Sequence, residues 1–344
     1  MSQLATANPT ARYTVTCGSH TITQSDPKGL ELLVIEDHLD LIGICELTFV
    51  EGSGFSWSSV TQGDPVDVVF GGSPRKAFSG VIVGFRHQFA SGKQQLTVSA
   101  MDPLVFLAAS RRTATWEDLT DSDIVSDVLA RATVTPGVVD ATSDANPYVF
   151  QRNESDLGFL RRLAARNGHV LMANEGKVDW KKMAFTEAPT EVPKASLVSL
   201  DYGMQWRSLP PSVTARGWDY LTKEIAEGTA ADTDVDPIGS GSTALSQAGT
   251  IWKAPSWLSD VHVTTPSRAT AMALADLEQP AHDFLRGTAV VQGTGALFAG
   301  TRIKFTEHPT GFNPDVVVVS ARHRVVAGAG SRTEVAFCGN TLPA

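Results

Sequence analysis

No run of ~18 apolar residues interrupts the chain, so no helical membrane span is expected. Cysteine is scarce. Cys17, Cys45 and Cys338 are odd in number, far apart and outside any CxxC or Cys/His cluster. That spacing argues against zinc and against a disulfide framework, and the thiols read as small buried hydrophobes in a reducing compartment. Positive charge is also in deficit, with 28 Lys and Arg against 37 Asp and Glu and a net charge of −9. An acidic chain gains nothing from counterion release, so nucleic acid is not expected as its main partner. The first fifteen residues carry neither an apolar h-region nor an early basic cluster, and no signal peptide is expected. Synthesis in the cytoplasm follows as the expectation.

Catalytic arrangements are missing too. The eight histidines (20, 38, 87, 169, 262, 282, 308 and 323) are scattered, with no HExxH or HxH. Ser53 in Gly52-Ser53-Gly54 lacks the frame of a nucleophile elbow. Gly293-Thr-Gly295 leads into another strand rather than a phosphate-cradling helix. Asp118, Asp121 and Asp123 cluster as a cation site would, but they lack the glycine and glutamate of an EF-hand, and helix capping accounts for them. Asp102 reads as a turn or cap residue before Pro103. No catalytic, metal-ligating or cofactor-binding residue is assigned, and no cofactor is expected.

What is present is strand. At 344 residues the chain exceeds a single ordinary core, and 42% hydrophobic with 19% charged residues suits a globular protein. Residues 12–101 read as β throughout, in short runs such as Tyr13–Cys17, Glu31–Ile35, Ile42–Phe49 and Val66–Phe70, separated by turn clusters. Along Phe78–Phe89 the residues Val81, Val83, Phe85, His87 and Phe89 share one face and Gly80, Ile82 and Gly84 the other. Several short strands at this spacing suggest a small barrel or sandwich. Residues 104–195 change character to α+β. Leu104–Ala109 is helix or strand, and a helix through Arg131 carries Ile124, Val125, Val128 and Leu129 as its apolar stripe. Phe185–Lys194 reads as a linker. Residues 196–344 return to β, with a mobile Ala/Gly/Ser-rich loop expected over 223–250 and a helix over 267–286, its Ala271, Leu274, Ala275 and Leu277 on one side and Pro280 kinking it.

The densest local pattern is Pro147–Trp180. Tyr148-Val149-Phe150 is a strand. Ser155 stands where an N-cap belongs, followed by Asp156 at the positive end of the dipole. Leu157, Leu160, Leu163 and Ala164 recur at three and four, Arg161, Arg162 and Arg166 load the last turns, and Gly168 suits the left-handed C′ position. A hairpin follows, turning at Asn174-Glu175-Gly176.

The series Gln151-x-Asn153-Glu154-Ser155-Asp156-Leu157-x-Phe159-Leu160-x-Arg162-Leu163, preceded by Tyr148 and followed by Gly168 and an apolar strand, resembles the signature of the contractile-injection hub family. That family comprises phage late-control gene D proteins, the hub domains of valine-glycine repeat spike proteins and the central hub of myophage baseplates. Phe78-Ser79-Gly80 resembles its F-x-G-x-I strand, Ala100–Leu104 its A-x-D-x-L exit, and Val213–Trp218 the start of its second barrel. Val317-x-Val319-x-Ala321-x-His323 resembles the family's last strand, with Val for Tyr.

The resemblance implies a mainly β protein in which two tube-like β-barrel domains (1–103 and 196–344) flank a smaller α+β domain (104–195). It further implies a non-enzymatic homotrimer whose two barrels per copy present six similar units, so that a threefold spike meets a sixfold inner tube. A separate spike protein, the inner tube protein and other baseplate proteins are the expected partners, because no needle or cell-wall-cutting insert is seen in the chain. Incorporation into a phage tail or injection particle follows. A carbohydrate-binding module or a hydrolase with a dispersed site is the alternative, supported by Trp252 and Trp257 beside the expected loop.

Overall fold

In the computed structural model the described residues are 12–342, apart from 51, 72, 74, 91, 184, 208, 221, 260–262, 294–296 and 308–312. His262, His308 and Gly295 of the sequence patterns above therefore lie outside the described residues.

Most strands of the first stretch alternate. β1 (Tyr13–Cys17), β2 (His20–Thr23), β3 (Leu30–His38), β4 (Ile44–Val50), β5 (Pro65–Phe70), β6 (Phe78–Ala90) and β7 (Lys93–Met101) are linked mainly by tight turns. Val15 and Cys17, Leu33 and Ile35, Leu47 and Phe49, Val66 and Val68, and Leu96 and Val98 all point inward and are buried. Period-two alternation thus translates directly into one core. β6 departs from the even alternation expected of it. A bulge between Ile82 and Gly84 changes the phase, leaving Ile82 buried and Phe89 72% exposed at the strand's far end. Gly80 is fixed by close approach, because a Cβ there would sit 2.2 Å from the Met101 carbonyl oxygen.

The central stretch forms its own core from α1 (Leu104–Ala108), β8 (Arg111–Trp116), α2 (Asp121–Arg131), β9 (Pro136–Val139), β10 (Val149–Ser155), α3 (Asp156–Asn167), β11 (His169–Asn174) and β12 (Lys177–Lys182). The 104–109 run is helical. The expected stripe of α2 is fully buried, as are Leu160 and Leu163 on α3. Thr120 and Asp123 close α2 with a reciprocal capping box, so Asp123 caps a helix rather than facing a cation.

The last stretch contains β13 (Thr190–Pro193), β14 (Leu197–Met204), β15 (Ser212–Asp219), β16 (Glu224–Ala231), α4 (Ala244–Ile251), β17 (Ser256–Leu258), α5 (Pro266–His282), β18 (Leu285–Gln292), β19 (Arg302–Thr306), β20 (Asp315–Val326) and β21 (Gly330–Gly339). A second β core follows, built from Val192 through Phe337.

Three expectations are corrected here. The 223–250 segment is not one loop, since it holds β16, paired with β15 along its length, and most of α4, with mostly irregular backbone between them. Its Ala- and Gly-rich composition is that of a loop, but packing explains it otherwise. The residues of β16 are small because a helix lies on them: Ala226 and Ala230 are buried, and a Cβ on Gly228 would meet the Thr270 amide of α5 at 2.2 Å. Within the expected linker, β13 pairs in parallel with β19 and buries Val192. Finally, α5 ends at His282, two residues past Pro280, and Ala271 is exposed. The buried set is Ala269, Ala273, Ala275, Leu277, Glu278 and Ala281, so Ala275 and Leu277 of the expected face are buried and Leu274 is partly so.

One thirteen-stranded sheet joins the N-terminal and C-terminal strands, in the order β14-β18-β21-β20-β3-β4-β7-β6-β5-β1-β2, with β13 and β19 attached beside β20. The joint is β20. Its first half pairs with β19 and its second half with β3, from Ser320↔His38 to Val326↔Leu32, while β21 follows it along the other edge. A separate three-stranded sheet, β16-β15-β17, lies on α5, and α5 in turn packs on α3.

Candidate functional site

The motif between Tyr148 and Gly168 builds a local scaffold whose parts fit one another. β10 bulges between Gln151 and Glu154, and Asn153 takes the positive φ (47°) that the extra residue needs. The bulge brings the strand end into position to cap α3. Ser155 Oγ accepts from the Gly158 amide at 3.1 Å. Gln151 Nε2 donates to Asp156 Oδ1 at 2.8 Å and to the Glu154 carbonyl at 3.2 Å. Asp156 is buried and also faces Arg112 Nε at 3.3 Å. Arg162 ties the two elements from outside, reaching Glu154 Oε1 at 2.7 Å and the Phe150 carbonyl at 3.1 Å. Beneath it Phe159 stacks on Trp116, with centroids 5.0 Å apart. Leu157 and Leu160 fill the core, and Gly168 ends α3 at φ 65°. A Cβ on Gly168 would press on Glu278 of α5 at 3.0 Å, so this glycine serves both the C-cap and a helix contact.

Tyr148 and Phe150 differ from the rest of the set. They are 57% and 39% exposed, and their rings stack loosely at 6.5 Å on the outer face of the β10-β8 ribbon.

Sequence reasoning missed the polar groups that hold the three cores together, because each joins residues distant in the chain. Asp121 is the densest. Its carboxylate accepts from Arg166, from Asn167 Nδ2 at 2.7 Å and from Asn146 Nδ2 at 2.9 Å, with Arg268 of α5 at 3.5 Å. Burial alone would push this carboxyl up, but the Arg166 hydrogen bonds and charge, with Asn167 and Arg268, outweigh it and hold it below its usual range. Lys182 reaches Glu278 at 3.0 Å and Thr265 Oγ1 donates to Asp144, adding two more links between the central and last stretches.

Arg75 performs the same task on the other side. Its guanidinium meets Asp37 of β3 at 3.1 Å and Asn174 Oδ1 of the hairpin at 3.1 Å, and lies 4.3 Å from the centre of the Phe298 ring. Asp37 Oδ2 also accepts from the Ala299 amide at 2.9 Å. Under Phe298 lies His323, fully buried, with Nδ1 3.0 Å from Thr333 Oγ1 and Phe70 on its other side. Burial, reinforced by Arg75, drops its pKa to about 3, so it is neutral at physiological pH.

Asp102 is a turn residue in the sense expected: its two oxygens accept from the Gly43 amide at 2.6 Å and the Leu104 amide at 2.9 Å. Burial pushes it up to about 7 against those two amides. Cys17 and Cys45 are buried and Cys338 half-buried, all as free thiols. Among the described residues no group of three His, Cys, Asp or Glu is disposed to hold a metal ion, and no helix is long and apolar enough to cross a membrane. Trp252 and Trp257 are already engaged within the chain. The Trp252 indole donates to the Trp206 carbonyl at 2.7 Å, and the Arg216 guanidinium lies 5.3 Å over Trp257.

These are features of a framework, with polar side chains spent on joints between cores. Comparison with known proteins shows what the chain is similar to. The profile of a family described as the Alg8 N-terminal domain matches residues 10–327. A probable baseplate hub protein of Escherichia phage 186 is 36% identical over 95 residues, a stretch covering 27% of this chain and 24% of that relative's length. A tail protein from Neisseria meningitidis superposes with a TM-score of 0.68 at 15% identity, covering 96% of each chain. An Escherichia coli component of the type VI secretion system does so with a TM-score of 0.62 at 13% identity, covering 91% of this chain and 74% of that one. The chain belongs to the family described as the Alg8 N-terminal domain, and it is similar in part of its sequence to a phage baseplate hub protein and in fold to phage tail and type VI secretion proteins.

Proposed function

We propose that the chain is a non-catalytic baseplate hub that assembles as a homotrimer and adapts a threefold spike to the sixfold inner tube of a contractile tail or tail-like injection machine. One observation carries the reading. Two separate β cores, one from Tyr13 to Ala100 and one from Val192 to Phe337, flank the α/β core and share a single sheet through β20. Three copies of such a chain hold six β units in covalent pairs, which answers a symmetry mismatch without a second gene product. On this reading residues 1–103, 104–195 and 196–344 are the working units, and the Gln151–Leu163 motif is structural, setting the central unit against its neighbours. A separate spike protein, the inner tube protein and other baseplate proteins are its partners, and its place is in the assembled particle.

Light scattering of the purified chain, followed by electron microscopy after mixing with the tube and spike proteins, tests this. A trimer that caps tube ends and retains the spike is expected. A stable monomer at micromolar concentration that binds neither partner refutes it. A glycan array with specific hits would support the carbohydrate-binding alternative instead.

A further inference from the structure

The β16-β15-β17 sheet buries one face on α5 and leaves the other to solvent. Register sets out that outer face. Trp218 stands opposite Ile225, Arg216 opposite Glu227, and Thr214 between Thr229 and Trp257. Trp218, Ile225 and Trp257 are 57%, 56% and 55% exposed, and Tyr220 just beyond the strand is 65% exposed. In the middle, Arg216 Nε donates to Glu227 Oε2 at 2.6 Å, and the Thr214 and Thr229 hydroxyls meet at 2.9 Å. The central polar groups of the face are thus paired among themselves, while Trp218 and Tyr220 stay more than half exposed, as does Trp257 beneath the Arg216 guanidinium.

An aromatic ring buries 150–250 Å² when covered, so three rings more than half exposed leave roughly 350 Å² in water. That area, divided in the middle by the Arg216–Glu227 pair, falls in the range of the largest apolar patches on soluble proteins, which often are interaction sites. It would supply the aromatic centre of an interface that buries about 800 Å² per partner.

We infer that, given the trimer proposed above, this tryptophan face of one copy docks on the Tyr148–Phe150 face of the next. A closed ring of three identical chains needs two different, complementary patches on each copy. The β10-β8 ribbon supplies the second, and it is carried by a different sheet, separated from the first by α5 and α3. Their charges are complementary. Arg152 is exposed on the ribbon next to Phe150, and Arg111 is exposed at its other end, opposite Ser155. Asp219, Glu224 and Glu227 border the tryptophan face, where Arg216 is already paired with Glu227. A second copy therefore fits with rings against rings and arginines against carboxylates.

The test uses the full chain with two double variants, Trp218→Asp with Trp257→Asp, and Phe150→Asp with Arg152→Glu. All four positions are exposed, so circular dichroism should show wild-type folding. Light scattering of the wild type should give a trimer. Each variant alone should be monomeric at the same concentration, since loss of one central aromatic contact weakens association at least ~30-fold. Mixing the two variants should then produce dimers, because one intact junction remains between unlike chains. A wild-type trimer with either variant still trimeric overturns the choice of faces, as does a mixture that stays monomeric. A monomeric wild type refutes the trimer itself, and the docking with it.

Discussion

Replacing Asp121 by alanine should destabilise the central unit more than any other single polar change. The side chain is only 3% exposed and accepts from Arg166, Asn167 and Asn146 while facing Arg268. Removing one member of a buried, hydrogen-bonded charge cluster costs about 3–5 kcal/mol, because the remaining charges stay in low dielectric without compensation. Arg166 and Arg268 are 21% and 11% exposed, so water recovers part of that loss, and about 3 kcal/mol is expected. At roughly 4–8 °C per kcal/mol for a unit of 60–100 residues, the corresponding fall in Tm is ~12–24 °C.

The sign with pH follows from the same contacts. The folded carboxyl sits below its ordinary value, so its contribution is present above the unfolded pKa and is lost as pH falls through the folded one. The deficit of the alanine variant should therefore be full at pH 7 and should shrink on acidification below about 4. Thermal melts followed by fluorescence of the buried Trp116 and Trp180 measure both effects. A variant within ~1 kcal/mol of wild type at pH 7, or one whose deficit does not change in acid, would refute the reasoning.

Asp102 should give a pH dependence of the opposite sense: its folded pKa is raised to about 7, so its stabilising contribution is full below the unfolded value and is lost as pH rises to 7. Urea midpoints between pH 4 and 8 should lose that slope in Asp102→Asn. His323, lowered to about 3, favours the folded state above the ordinary histidine range, and that contribution fades as pH falls from there toward 3; its NMR ring signals should show no titration between pH 8 and 5. Gly168→Ala places a side chain at φ 65° against Glu278 and should cost ~1–2 kcal/mol by thermal melt. Gly228→Ala should cost more, ~1–3 kcal/mol or beyond, because its new Cβ meets backbone rather than a movable side chain.

Local patterns were readable where one principle decided them. The alternation of Val15 with Cys17 or Leu96 with Val98 fixes which side of a strand is buried, and Ser155 with Gly168 fixes both ends of α3. Small residues misled. Ala226, Gly228 and Ala230 read as too weak to order, yet their size is what lets α5 lie on the sheet. The joints were not readable at all. Nothing in the vicinity of Asp121 announces Arg268, and nothing near Arg75 announces Phe298, because a charge pair between distant segments leaves no periodic trace.

The pairing of β20 with β3 has a consequence for synthesis. β3 emerges from the ribosome about 290 residues before the strand that will cover its edge, a wait on the order of 15–60 s at 5–20 residues per second. Throughout that interval the N-terminal strands carry a bare row of backbone donors and acceptors beside a half-covered apolar wall. The newborn chain is therefore most prone to join its own kind wrongly just before its last strands arrive, and slower elongation late in the message would lengthen that hazard.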